Sequence, residues 1–377
     1  MRRTRRRSVR PIVAAIAALV VVRLLYTVWV AGEFRVVQPR GSETCHPLPG
    51  VVGGEDFAVD RAANGGRGVV WIAADDRRAA AAGRADTGHL YRLDADGARA
   101  VEVTPDVDFP LHPHGLSFAR TATGTADDGA VTGQLLVVNH RGGGVFASAE
   151  DAVERFHVIG ERTLRHVGTV QDPLLRPMND LAALPDGRFY ASLDHGNASG
   201  VLRKVEDFGR FAWSGVAYWD GRQARQVVRG LRYANGVALS ADAAQVYVAT
   251  TVDRAVLVYD RDVASGELRE RARIECGTGV DNLDVAPDGS IWVGAHPKLL
   301  TFLRHARDPG VLSPSEVLRI DPEHGTVESV LEDDGSKLPG AAVAVLLPET
   351  RSGPRLLVGP VFAPHLLDCR PFTPRGR

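Results

Sequence analysis

Residues 179–193 read Asn179-Asp180-Leu181-Ala182-Ala183-Leu184-Pro185-Asp186-Gly187-Arg188-Phe189-Tyr190-Ala191-Ser192-Leu193. A polar pair opens a short apolar run, Pro-Asp-Gly turns the chain, and a second apolar run returns, which is the pattern of a tight β-hairpin. The same grammar recurs at 281–294, around Pro287-Asp288-Gly289. The opening element, two residues followed by a bulky apolar one, also appears as Glu55-Asp56-Phe57, His114-Gly115-Leu116 and Asn235-Gly236-Val237. A sixth copy, Ala341-Ala342-Val343, keeps the apolar residue and lacks the polar pair. The intervals are 59, 65, 56, 46 and 60 residues, so one supersecondary unit is repeated six times.

Outward from these points the chain alternates short strand-like runs and turns. Strands are expected at 69–73, 89–93, 135–139, 144–147, 245–251, 254–259, 342–347 and 355–360. Residues 150–155 read as a short helix. Residues 78–86, 121–130 and 304–314 read as loop insertions, the first two on one face. Short strands repeating every 45 to 65 residues predict an all-β, six-bladed β-propeller with four-stranded blades, closed by pairing of its N- and C-terminal segments. Residues 35–377 would form this one domain, because radial repetition carries a fold past the usual domain size.

Residues 1–34 differ. Seven arginines and no acids fall in the first 23 positions, and Pro11 to Ala31 forms an apolar stretch of about 20 residues, interrupted by Arg23 and long enough to span a bilayer. With no clean small-residue cleavage site, an uncleaved signal-anchor helix with its arginines in the cytoplasm is expected. The catalytic domain would then lie outside the cytoplasm, anchored or secreted. Without those arginines the body holds 38 basic against 46 acidic residues, which argues against nucleic-acid binding and suits cation sites. At 44% hydrophobic and 24% charged residues, the body must fold. Of the three cysteines, Cys45 and Cys369 flank the first and last repeats, so ring closure would bring them together for a disulfide in an exported chain. Cys276 reads as a small buried hydrophobe.

In a propeller the innermost strands line the central tunnel, and equivalent residues face one another across it. Glu55, Asn179, Asn235, Asp281 and Asn282 would then form a ring of hard oxygen donors with two negative charges, which suits calcium with positions left for water or substrate. Asp56, Asp180 and the Leu116 carbonyl could hold a second cation deeper in the tunnel. A single Asn-Gly or Asp-Gly pair is ordinarily a turn; recurrence at one register is what points to a shared site. His114 occupies the register itself and His140 ends the neighbouring strand, so the two form a candidate base pair beside the ring. His195 and His296 lie at the ends of comparable strands. Nucleophile-elbow, phosphate-loop, zinc-protease and Cys-x-x-Cys motifs are absent from the sequence. Asn197-Ala198-Ser199 fits a glycosylation acceptor.

On these residues the sequence resembles the paraoxonase and arylesterase family of calcium-dependent lactonases, within the six-bladed propellers that include gluconolactonases and strictosidine-synthase-like proteins. The resemblance runs from Cys45 to Cys369 through Pro113-His114-Gly115, Leu135-Leu-Val-Val-Asn139-His140, Ala234-Asn235-Gly236, Val280-Asp281-Asn282, His296-Pro297 and Leu366-Leu367-Asp368-Cys369. It implies two calcium ions, a catalytic one on Glu55, Asn179, Asn235, Asp281 and Asn282, and a structural one on Asp56, Asp180 and Leu116. It also implies a His114–His140 dyad, pocket or support roles for His195 and His296, and the Cys45–Cys369 bridge. Ala295 stands where the family commonly has a free cysteine. Asp75-Asp76-Arg77-Arg78 replaces a more apolar active-site loop, and residues 304–308 lack the expected aromatic run.

The expected chemistry is hydrolysis of a lactone or aryl ester. The metal would polarise the carbonyl and the dyad would activate water. Glu55 or Asp281 is the alternative base. Two other readings stand beside this one. One is a sugar-lactone hydrolase, which the polar loop at Asp75 would suit; the other is a non-catalytic, calcium-stabilised, membrane-anchored propeller that binds a protein partner.

Overall fold

The computed structural model describes residues 10–84, 87–126, 129–142, 150–160, 162–197, 200–348 and 350–373. Six four-stranded antiparallel sheets follow one another along the chain. Their inner strands are Gly54–Asp60, Pro113–Ala126, Met178–Ala183, Ala234–Leu239, Gly279–Val285 and Ala341–Leu347, and consecutive ones touch in a closed ring, giving blades 1 to 6. The Pro-Asp-Gly signals become the expected turns. Gly187 and Gly289 adopt φ of 85° and 83°, and the Asp186 and Asp288 carboxylates accept from the amides of Arg188 and Ser290.

Each inner strand carries a register shift where the recurring pair lies: Gly54/Asp56, Pro113/Leu116, Met178/Leu181, Ala234/Val237, Val280/Leu283 and Ala341/Val343. A bulge inserts an extra residue and re-aims side chains, so both members of the pair escape the in-and-out alternation of a regular strand. Apolar residues pack between blades; Ile72 and Leu93 of blade 1, for example, meet Val345, Leu357 and Leu366 of blade 6.

Closure follows the sequence expectation. The outermost strand of blade 6 is Cys45–Pro49, paired antiparallel with His365–Cys369, and Cys45 and Cys369 are partners in that register and joined by a disulfide. Beside it, the fully buried Arg355 grips Asp368 at 2.8 and 3.0 Å and donates to the Ala95 and Gly97 carbonyls, tying blade 6 to blade 1. Cys276 is a half-buried free thiol, and burial pushes it up to about 12, so it is unreactive.

Several local expectations are corrected. Residues 151–155 belong to a strand, Asp151–Ile159, with Glu150 in the turn before it, because Val153, Phe156 and Val158 fill the core around blade 2 and tertiary burial overrides local helix propensity. Residues 121–130 mostly extend the inner strand of blade 2 and its partner, Gly129–His140. That excursion is a first-to-second strand connection, at the opposite end from the one after Val69–Ala74. The strand expected at 144–147 and most of the acceptor triplet Asn197-Ala198-Ser199 lie outside the described residues.

Four α-helices are described. Helix α1, Arg10–Val30, is apolar enough over Val13–Val30 to cross a membrane; together with the disulfide it fits an exported, extracytoplasmic protein. Helices α2 (Arg77–Ala81), α3 (Gly200–Gly209) and α4 (Leu299–Arg307) all join second to third strands, at the end of the propeller where the inner strands begin. The segment after α1 is docked there. Ala31 accepts from the Leu299 amide, and Glu33 accepts from the amides of Leu300 and Thr301 at 2.8 and 3.0 Å, supplying the cap that Lys298 does not provide for α4. Gly32, at φ 78°, passes so close to Pro297 that a Cβ would lie 2.1 Å from its carbonyl oxygen.

Candidate functional site

The bulges bring Glu55, Asn179, Asn235, Asp281 and Asn282 together at the mouth of the tunnel, all nearly inaccessible to water. In four of them one side-chain oxygen makes no hydrogen bond although buried: Oδ1 of Asn179, Asn235, Asp281 and Asn282. Three of these side chains have their other polar atom tied by a neighbour. Asn235 Nδ2 donates to Thr251 Oγ1 at 3.0 Å, and that hydroxyl donates to the Val280 carbonyl at 2.7 Å. His296 Nε2 lies 2.8 Å from Asp281 Oδ2 and stacks on Phe302, ring centroids 3.8 Å apart. Asn282 Nδ2 donates to the carbonyl of Glu55 at 3.1 Å and to its Oε1 at 3.3 Å. An unpaired buried oxygen costs roughly 1–3 kcal/mol, and a cation could satisfy all four at this ring. The donor set, two carboxylates and three carboxamides, fits a hard divalent ion.

Electrostatics agree. Burial raises the Asp281 carboxyl even against its bond from His296. Burial would also raise Glu55, but His114 and Arg77 beside it outweigh that, and it titrates below the ordinary value. Glu55 Oε2 lies 2.6 Å from His114 Nδ1. The rings of His114 and His140 are 4.5 Å apart, and His140 Nε2 faces the Met178 carbonyl at 3.0 Å. Only an N–H can satisfy that carbonyl, so the proton of His140 is assigned to Nε2 and Nδ1 is left to accept. Burial, with His114 next, holds His140 well below the usual imidazole range, so it stays neutral.

The second residues of the pairs act between blades. Asp56 accepts from the amides of Phe57 and, in the next blade, Leu116; Asp180 accepts from those of Leu181 and, in the next blade, Val237. Burial raises both carboxyls, Asp180 to about 8, so without a cation the adjacent pair retains a proton into neutral pH. The intervening registers carry glycine because the following bulge leaves no room: a Cβ on Gly115 would lie 2.5 Å from Asp180 Cα, and one on Gly236 2.6 Å from the Asp281 carbonyl oxygen. Beyond Asp56 and Asp180 lies a cavity of about 180 Å³, lined also by Leu116, Asp284 and Arg61.

Sequence reasoning missed two residues at the mouth, Thr251 and Arg77. Thr251 directly follows the strand Gln245–Thr250 but belongs to none of the repeated pairs, so the repeat does not flag it. Arg77 is buried against Glu55 and His114. His195 sits in the third blade paired to Asp194 at 2.8 Å, its ring against Tyr233. Ala341 and Ala342 contribute no donor.

A family model described as Arylesterase matches residues 82–369. Human serum paraoxonase/arylesterase 1 is 34% identical over 258 residues, 67% of this chain; the chain spans just under two thirds, 66%, of that protein's length. Rat serum paraoxonase/arylesterase 2 is 32% identical over 284 residues, 72% of this chain and 73% of that protein. Among solved structures, a gluconolactonase from Xanthomonas campestris superposes with a TM-score of 0.52 at 13% identity, covering 87% of this chain and 89% of that one. The Malassezia sympodialis allergen Mala s 1 gives 0.53 at 11% identity, covering 87% and 95%. These two likenesses concern the fold alone.

Proposed function

Because the chain belongs to the arylesterase family, we propose that it hydrolyses carboxylic esters at the oxygen ring, lactones foremost and aryl esters as accessory substrates. The observation that carries this reading is the set of four buried, unpartnered oxygens on Asn179, Asn235, Asp281 and Asn282. With Glu55 they would hold one calcium ion; Asp56, Asp180 and the Leu116 carbonyl would hold a second that ties blades together. Calcium in the ring would supply a Lewis acid for the substrate carbonyl and a counter-charge for the oxyanion.

The chain's own groups handle the proton. His114, bonded through Nδ1 to Glu55, presents Nε2 to take a proton from water, and the adjacent carboxylate stabilises the imidazolium that results. This arrangement favours His114 over Glu55 as the base, since Glu55 is held ionised and engaged. His140, neutral and packed on the His114 ring, keeps that ring in place and offers Nδ1 as a further acceptor. His296 and Thr251 are positioning residues that turn Asp281 Oδ1 and Asn235 Oδ1 inward. His195 and Asp194 support the pocket wall. Helix α1 would anchor the domain on the outer side of a membrane.

A second reading within the same chemistry, a polar sugar-type lactone, is favoured by Asp75. Its Oδ1 is buried without a partner on the loop that leads to Arg77, where a substrate hydroxyl would satisfy it. The full chain in detergent, assayed on alkyl lactones, sugar lactones and aryl esters with calcium and after chelation, tests both. Turnover should vanish on chelation and in Asp281→Ala. Turnover indifferent to both would remove the metal mechanism, and the preferred lactone class separates the two substrates.

A further inference from the structure

Of the five oxygen side chains proposed to hold the ring cation, Glu55 alone has both carboxylate oxygens engaged. Oε1 takes the Asn282 amide at 3.3 Å, while Oε2 faces His114 at 2.6 Å and Arg77 Nη2 at 3.3 Å. Arg77 is 3% exposed, and a buried guanidinium needs anions or several acceptors around it. Its acceptors are poor ones. The carbonyls of Gly53, Asp75 and Val361 lie 3.4 Å from Nη1 and that of Pro113 3.5 Å from Nη2, all beyond the usual range for N–H···O bonds. Nη2 also lies 2.8 Å from His114 Nδ1, which cannot donate to Glu55 and accept from Arg77 at once.

We propose that Arg77 is a built-in rival of the ring cation: its guanidinium neutralises Glu55 while the ring holds no metal, and must swing out when a divalent ion binds. The inference rests on the calcium reading above. A guanidinium and a divalent ion on one carboxylate repel strongly in so buried a site, so both cannot be held there. The loose carbonyl contacts make the guanidinium the member that moves. Its carrier is light: α2 is one short helix capped by Asp76, and residues 82–84 after it are exposed. Once Arg77 leaves, Glu55 keeps its bond from His114 and gains the metal, so loading the ring also frees His114 Nδ1 from its second neighbour.

Two measurements on the full chain test this. Calorimetric titration with calcium should show Arg77→Met binding at least about tenfold tighter than the wild type, and Arg77→Lys, which keeps the charge, staying closer to the wild type. In the unaltered protein, an arginine-selective dicarbonyl reagent followed by peptide mass spectrometry should leave Arg77 unmodified without calcium and modify it with calcium. Equal calcium affinity in wild type and Arg77→Met, or labelling of Arg77 that calcium does not change, overturns the inference while leaving the calcium site standing. No calcium binding by any of the proteins overturns the site itself, and the inference with it.

Discussion

Replacing Thr251 with valine removes one hydroxyl and no volume. That hydroxyl accepts from Asn235 Nδ2 at 3.0 Å and donates to the Val280 carbonyl at 2.7 Å, both in the interior. At about 1 kcal/mol for each neutral hydrogen bond, the variant should lose roughly 2 kcal/mol of stability, read as a lower urea midpoint at unchanged slope. The larger effect concerns the ring. Without Thr251 the Asn235 amide has nothing to hold its nitrogen away from the tunnel, so Oδ1 is no longer presented reliably. Loss of such a supporting bond typically weakens metal binding about 10- to 100-fold. Calcium titration should show that loss, Thr251→Ser should restore most of it, and turnover should recover at saturating calcium. A folded Thr251→Val protein whose calcium affinity stays within about twofold of the wild type would refute the claim that Thr251 orients a ligand.

Three further outcomes follow from the geometry. Converting both Cys45 and Cys369 to serine opens a loop with a sequence separation of 324 residues; chain entropy sets the expected loss at roughly 5 to 6 kcal/mol, and a measured loss below about 2 kcal/mol would mean that the strand ladder alone restricts the ends. Gly236→Ala forces a methyl against the Asp281 carbonyl oxygen and Asn282 Cα, where contacts of 2.6 and 2.7 Å would arise. It should cost about 3 kcal/mol and weaken calcium binding, whereas Gly221→Ala, with open space around it, should leave the ring's affinity alone. Because burial depresses His140 below its ordinary value of 6.5, the unfolded chain binds its proton more readily, so folding loses stability as pH falls through and below that value. His140→Leu should therefore flatten the fall in unfolding free energy between about pH 7.5 and about pH 5.5, and an unchanged slope would contradict a buried neutral His140.

What the chain discloses in one dimension is what repeats. The polar pairs, the apolar residue after each and the Pro-Asp-Gly turns mark blade number, strand starts and the ring, because every blade solves the same packing problem. The bulges explain why both members of a pair reach the tunnel, which a strict period of two would forbid. Contacts that cross blades leave no such trace. Arg77, beyond the end of the second strand of blade 1, meets His114 of blade 2, Thr251 serves a ligand on the preceding strand and a carbonyl of the next blade, and neither belongs to a recurring pattern. Residues 150–155 misled because their charges and alanine suit a helix, whereas burial between neighbouring strands decides their state. Glycine at 115 and 236, the second member of its pair, is clearance for the adjoining backbone, which no reading of the repeat foretells.

Glu33 belongs to the stretch that follows the apolar helix, yet its carboxylate caps α4, whose Phe302 stacks on His296, which in turn holds Asp281. The stretch after the apolar helix is therefore joined by three successive contacts to a residue of the oxygen ring. A version of the chain begun at Arg35 would keep every blade and shed the first of those links. It would carry an α4 with bare amides at its start and a looser aromatic floor beneath His296. For anyone trimming the protein for solubility, the cut that spares the site lies upstream of Ala31, where the apolar helix ends and the wall of the pocket has already begun.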